Sequence, residues 1–253
     1  MTQSMLVPAV PEGIAACLFD LDGVLTQTAA LHAEAWKEMF DAVLLERANE
    51  LGDAFHPFEL PVDYVEHVDG KLRQDGVRSF LTSRGITIPE GVPGDPPAAE
   101  TVHGLGARKN KLVLELIRTR GVDLYEASVR FVEAVRDAGL PRAVVSASKN
   151  CQEVLAATGI EGLFDVRIDG VVAEKEGLQG KPAPDMFLAA AESLGVEPAS
   201  GAVFEDAEAG VAAARAGAFG WVVGVDRTGH ADALRRHGAD VVVSDLGELL
   251  EQR

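Results

Sequence analysis

The sequence predicts an α/β fold: a Rossmann-like parallel sheet core flanked by helices, with a small α-helical cap domain inserted after the first strand. Three observations carry this expectation. Short apolar runs at Ile14–Phe19, Arg142–Ser146, Gly201–Phe204, Trp221–Val225 and Ala239–Val243 read as buried strands. Alanine-rich helical stretches at Val129–Ala138, Gln152–Ala157, Pro184–Leu194 and Ala207–Ala216 alternate with them, and such alternation implies parallel strands covered on both faces. Between about residues 29 and 116 the alternation stops and no strand is evident.

The first strand is bounded by Gly13 and by the turn Asp20-Leu21-Asp22-Gly23. The interrupting segment opens with a helical stretch, Leu31–Leu51, followed by His56-Pro57-Phe58, a second helical piece at Gly76–Ser83, a Pro- and Gly-rich loop at Pro89–Pro97 and a third helix from near Ala107. The expected domains are therefore a core of residues 1–28 and 117–253 and a helical cap of residues 29–116. In a sheet of this kind the site lies at the carboxyl ends of the strands.

Composition narrows the class. The chain has 253 residues, 47% of them hydrophobic, and a net charge of −17. That field repels nucleic acid and anionic membranes, so neither is an expected partner, and it favours a dispersed monomer. It also repels phosphorylated substrates, so a phosphate site needs local positive charge. The two cysteines, Cys17 and Cys151, make neither a disulfide framework nor a zinc pair. No run approaches a membrane span, and Met1–Pro11 lacks the regions of a signal peptide, so the expected location is cytoplasmic.

Four acids are expected to meet at strand ends: Asp20 and Asp22 after the first strand, Glu205 and Asp206 after a later one. Carboxylates crowd together at a high cost unless a cation joins them. Hard oxygen ligands suit Mg2+. An aspartate beside such an ion can attack phosphorus and form an aspartyl phosphate, while a second carboxyl two residues on can exchange the proton. Calcium binding of the EF-hand type fails, because neither the glutamate at the twelfth loop position nor a preceding helix is present. Ser146-Ala147-Ser148-Lys149-Asn150 opens a helix after a strand and offers hydroxyls and backbone amides to a phosphate; Ser146 or Ser148 reads equally as an N-cap. Lys181, in the loop before Pro184, is a cation able to offset phosphoryl charge.

Together these residues resemble the four motifs of the haloacid dehalogenase superfamily: Asp20-Leu21-Asp22-Gly23-Val24, Ser146, Lys181 and Glu205-Asp206. Within it the chain is most similar to the β-phosphoglucomutase family, through Thr28, His32, Trp36 and Lys37, through Gly70 and Arg73, through Arg108-Lys109-Asn110, and through Ser146–Asn150, Lys181–Asp185 and Glu205–Gly210. The resemblance implies a sugar phosphate as substrate and Asp20 as nucleophile, with Asp22 as acid/base. It implies Mg2+ on Asp20, Glu205, Asp206 and the Asp22 backbone carbonyl. Ser146, Ala147 and Lys181 would hold the transferring phosphoryl group. Arg73, Ser148, Lys149 and Asn150, with Gly70 in the cap loop, would hold the second phosphate. Thr28 and His32 would orient Asp22 as the cap closes. A family lysine before the cap-loop glycine corresponds to Asp69, with Lys71 as a partial substitute, and a second family lysine to Glu115. A sugar-phosphate phosphatase using the same Asp20 chemistry is the alternative.

Overall fold

The structure, a computed structural model, describes residues 6–252. The first five residues of the amino-terminal stretch read above, and residue 253, lie outside it. The described residues form two compact units, one of those up to Gln27 and from Val122 onward, the other of Thr28–Gly121. Among the described residues, no helix is long and apolar enough to cross a membrane.

The first unit contains strands β1 (Leu6–Pro8), β2 (Ala16–Phe19), β3 (Arg142–Val145), β4 (Val166–Ile168), β5 (Gly201–Glu205), β6 (Trp221–Val225), β7 (Val241–Val243) and β8 (Leu250–Gln252). Six of them form one sheet in the order β4-β3-β2-β5-β6-β7, with every adjacent pair parallel. β2, β3, β5 and β6 are buried along their whole length, which is why their sequences are continuous apolar runs rather than alternating ones. β1 and β8 form a separate antiparallel pair.

The second unit begins with helix α1 (Thr28–Leu51), continues through a π-helical turn at Tyr64–Val68 and α2 (Arg73–Ser83), and ends with α3 (Val102–Arg120). The first unit then supplies α4 (Glu126–Asp137), α5 (Cys151–Thr158), α6 (Gly170–Glu176), α7 (Asp185–Leu194), α8 (Glu208–Ala216) and α9 (Ala231–His237). α7 packs on β2, β3 and β4, while α8 and α9 pack on the β5–β7 side. Phe19 and Phe204, on neighbouring strands, stack with centroids 4.6 Å apart, and Phe131 of α4 meets both edge-on.

From β2 the chain runs outward to β3 and β4 on one side and to β5, β6 and β7 on the other. The loops leaving β2, β3 and β5 therefore diverge at one point and open a crevice there. That point carries the site.

The second unit has its own core. Phe40 of α1, Phe58 and Phe80 of α2 lie with centroids 4.2 to 5.3 Å apart, joined by Trp36, Met39, Val77 and Leu105. Phe58 reaches this core from the loop after α1 because its backbone is held at both polar groups. Its N–H donates to Asp41 at 2.7 Å and its carbonyl accepts from Lys37 at 2.8 Å. Replacement Phe40→Ala should therefore cost ~3–5 kcal/mol of this unit's stability, measured by urea unfolding.

The structure differs from the sequence reading in a few elements. β4, α6, α9 and the β1–β8 pair have no counterpart among the elements expected from the sequence. α3 starts at Val102 rather than near Ala107, because Thr101 caps it by accepting the Gly104 N–H at 2.9 Å. It runs on through Arg120, so the helical unit ends at Gly121 rather than at residue 116.

Candidate active site

Asp20 directly follows β2, and its N–H donates to the Phe204 carbonyl of β5 at 2.9 Å. That bond ties the Asp20 loop to the strand that ends in Glu205. Asp20 is 5% exposed, Glu205 0% and Lys181 1%. The Lys181 ammonium lies 2.5 Å from Asp20 Oδ1 and 2.8 Å from Glu205 Oε2, and also donates to the Val145 carbonyl at 3.2 Å. A loop lysine is ordinarily solvated. Here the chain buries it against Phe187, with the ammonium 5.0 Å from the ring centroid, and pairs it with two carboxylates.

Two glycines make this approach possible. At Gly23, φ is +87°, and a Cβ would stand 1.8 Å from Asp206 Oδ2. At Gly210, in α8, a Cβ would stand 2.0 Å from Glu205 Oε2. Any larger residue at either position would displace a carboxylate.

Asp20, Glu205 and Asp206 each offer a ligand oxygen, all within 4.8 Å of one another. With Asp22 beside them, four carboxyl groups crowd around the one ammonium of Lys181. Burial pushes the Asp20 carboxyl well above the usual carboxylate range, Lys181 opposes the rise, and Glu205 and Asp22 add to it. Burial disfavours charge on Lys181, but the two carboxylates outweigh burial and hold it protonated above the ordinary lysine value. A buried group of oxygens with unbalanced negative charge fits a hard divalent cation. The Asp22 carboxylate is outside that ligand group and accepts from Ser146 Oγ at 3.3 Å.

Ser146 to Asn150 form the turn after β3. The helix that follows starts only at Cys151, so neither serine is its N-cap. Instead Ser146 Oγ accepts from the Ser148 N–H and Ser148 Oγ from the Asn150 N–H, each at 3.1 Å, and these bonds fix the turn. β4 and α6 buttress it from outside: the Ser146 N–H donates to Ile168, the Gly170 N–H to Ser148, and a Cβ at Gly170 would stand 2.7 Å from the Ala147 carbonyl. Asp169, which caps α6 by accepting the Val171 and Val172 N–H groups at 2.9 and 3.0 Å, and Gly170 are supporting residues that the sequence reading missed. Lys149 pairs with Glu174 at 2.8 Å, so an anion there would compete with that glutamate.

In the helical unit, Thr28 is the first residue of α1 and is buried. Gly70 has φ +69°, the left-handed conformation that glycine adopts without strain. Arg73 opens α2 and donates to Asn110 of α3 at 2.8 Å. His32 Nδ1 lies 2.9 Å from the ammonium of Lys109, which is 3% exposed and stands over the Trp36 ring at 4.9 Å. The buried cation of α3 is therefore Lys109, whereas Glu115 is exposed. Lys71 is tied to the Glu66 carbonyl and Ser79. The thiols offer no competing nucleophile: burial pushes Cys17 up to about 12 and Cys151 further still.

Comparisons with known proteins agree with this geometry. Residues 14–217 match the haloacid dehalogenase-like hydrolase family. A β-phosphoglucomutase of Mycobacterium bovis is 59% identical over 247 residues, 96% of this chain and 94% of that protein. A β-phosphoglucomutase of Bacillus subtilis is 32% identical over 94% of this chain and 96% of its own length. The crystal structure of a Clostridium difficile β-phosphoglucomutase superposes with a TM-score of 0.70 at 26% identity, covering 93% of each chain.

Proposed function

Since the chain belongs to the β-phosphoglucomutase family of haloacid dehalogenase-like hydrolases, we propose that it interconverts β-D-glucose 1-phosphate and glucose 6-phosphate through an aspartyl phosphate and a glucose 1,6-bisphosphate. The observation that best supports this reading is the buried Asp20–Lys181–Glu205 group beside Asp22 and Ser146. An Asp20 oxygen attacks one phosphorus of the bisphosphate. The bond from that phosphorus to the sugar oxygen breaks, and Asp22 gives its proton to the departing oxygen. In the return half-reaction Asp22 takes the proton of the free O6 hydroxyl of an incoming β-glucose 1-phosphate; that oxygen attacks the aspartyl phosphate, the bond from phosphorus to Asp20 breaks, and the bisphosphate is regenerated. Ser146 and the backbone of Ala147 hold the transferring group, with Lys181 shared between it and the carboxylates. Mg2+ on Asp20, Glu205, Asp206 and the Asp22 carbonyl would neutralise charge on the phosphoryl oxygens. We assign Thr28, His32, Gly70, Arg73, Ser148, Lys149 and Asn150 to the sugar and its second phosphate, and add Lys109 to them.

Phosphorus resonances test the proposal. With enzyme, magnesium, β-glucose 1-phosphate and a trace of the bisphosphate, the glucose 6-phosphate signal should grow without inorganic phosphate. Release of inorganic phosphate alone would make the chain a sugar-phosphate phosphatase instead. Arg73→Ala removes a charge-assisted contact to the second phosphate. It should lower kcat/KM for the mutase reaction roughly 10- to 100-fold, while turnover of a small monophosphate changes little.

A further inference from the structure

The loop after β6 belongs to none of the four motifs, and the proposed chemistry leaves it unused. Arg227 in this loop donates from Nε to the Gly23 carbonyl at 2.9 Å and from Nη2 to the Val24 carbonyl at 3.2 Å. Its remaining donors go to Ser128 Oγ, the Ser244 carbonyl and Asp245 at 2.7 to 3.0 Å, and its guanidinium lies 3.6 Å from the Tyr125 ring centroid. The loop is itself fixed, since Asp226 accepts the backbone N–H groups of Thr228, Gly229, His230 and Ala231. His230, from the same loop, donates from Nε2 to the Asp206 carbonyl at 3.1 Å. One loop therefore grips the backbone just after Asp22 and the backbone of Asp206.

We infer that Arg227 is a positioning residue for Asp22: by holding the Gly23 and Val24 carbonyls it sets the direction in which the Asp22 carboxyl is presented. The inference rests on the reading of Asp22 as the acid/base group. Gly23 takes the left-handed conformation in this turn. The turn is closed by bonds from the Gly23 N–H to Thr26 O and from the Leu25 and Thr26 N–H groups and Thr26 Oγ1 to Leu21 O, and its far side is tied to the segment before α4 by the Gln27 N–H to Asp123 O and the Tyr125 N–H to Leu25 O. Arg227 anchors the other side of the turn, at the Gly23 and Val24 carbonyls next to Asp22. A planar fork can serve two successive carbonyls and an acid together, whereas an ammonium cannot span the same set.

A positioning role differs from a purely structural one in its dependence on the leaving group. A sugar oxygen needs a proton as it departs, while p-nitrophenolate leaves as a stable anion and does not. In Arg227→Gln, kcat for the sugar phosphate should fall about 10- to 100-fold, while kcat for p-nitrophenyl phosphate should fall less than about 3-fold. Arg227→Lys keeps a cation beside Asp245 and should show the same contrast more mildly; it carries the test if the glutamine variant does not fold. Equal losses on both substrates, or no loss on either, would overturn the inference. Mutases and phosphatases both protonate a sugar oxygen, so the contrast is independent of which one the wild-type phosphorus spectrum reveals.

Discussion

Asp20→Asn should abolish turnover, by at least about 10⁴-fold, while leaving the fold intact. The amide keeps the shape of the side chain but cannot attack phosphorus. The site can accept the loss of charge, because burial already pushes the Asp20 carboxyl toward its neutral form and Lys181 retains Glu205 at 2.8 Å. Steady-state rates on the sugar phosphate, with a thermal melt of the same sample, check both halves. A variant that melts like wild type and still turns over at even one part in a hundred would remove Asp20 from the chemistry.

Lys181→Met should lose both stability and activity. It leaves Asp20 and Glu205 buried without their shared counter-charge, a change that typically costs ~3–5 kcal/mol. The direction with pH follows from linkage. Burial raises the Asp20 carboxyl in the folded chain, and Lys181 is the group that opposes the rise. Without Lys181 the folded state binds the carboxyl proton more tightly still, so its stability falls as pH rises above the ordinary carboxylate range. The deficit relative to wild type should be smaller at about pH 5 than at about pH 8 in urea unfolding. A deficit independent of pH would mean that Lys181 matters only through packing against Phe187.

Which parts of this structure are legible in the sequence follows from what each element buries. β2, β3, β5 and β6 are covered on both faces, so they appear as apolar runs. β4 spans only Val166–Ile168 and has Arg167 at its centre, paired with Asp169 at 3.0 Å; no periodicity survives in three residues. The start of α3 is obscured by Gly104 and Gly106. Gly104 is needed because a Cβ would stand 2.2 Å from the Ala99 carbonyl, a tertiary constraint that local propensity does not reveal. The acids of the site and the Ser146 turn are readable because their spacing places them at strand ends. The burial of Lys181 is not readable, since a loop lysine beside a proline has the same sequence wherever its ammonium points. Arg227 and Lys109 are hidden in the same way: each acquires its partners only when segments far apart in the chain come together, Arg227 with Gly23 and Lys109 with His32.

In the proposed reaction Asp20 takes the phosphoryl group. Brief incubation with glucose 1,6-bisphosphate and magnesium, acid quenching and peptide mass analysis tests it directly. The expected result is an alkali-labile phosphate on Asp20 that does not form when magnesium is chelated beforehand. Phosphate on Ser146 with Asp20 unmodified, or full turnover with no phosphorylated peptide at any time, would contradict it.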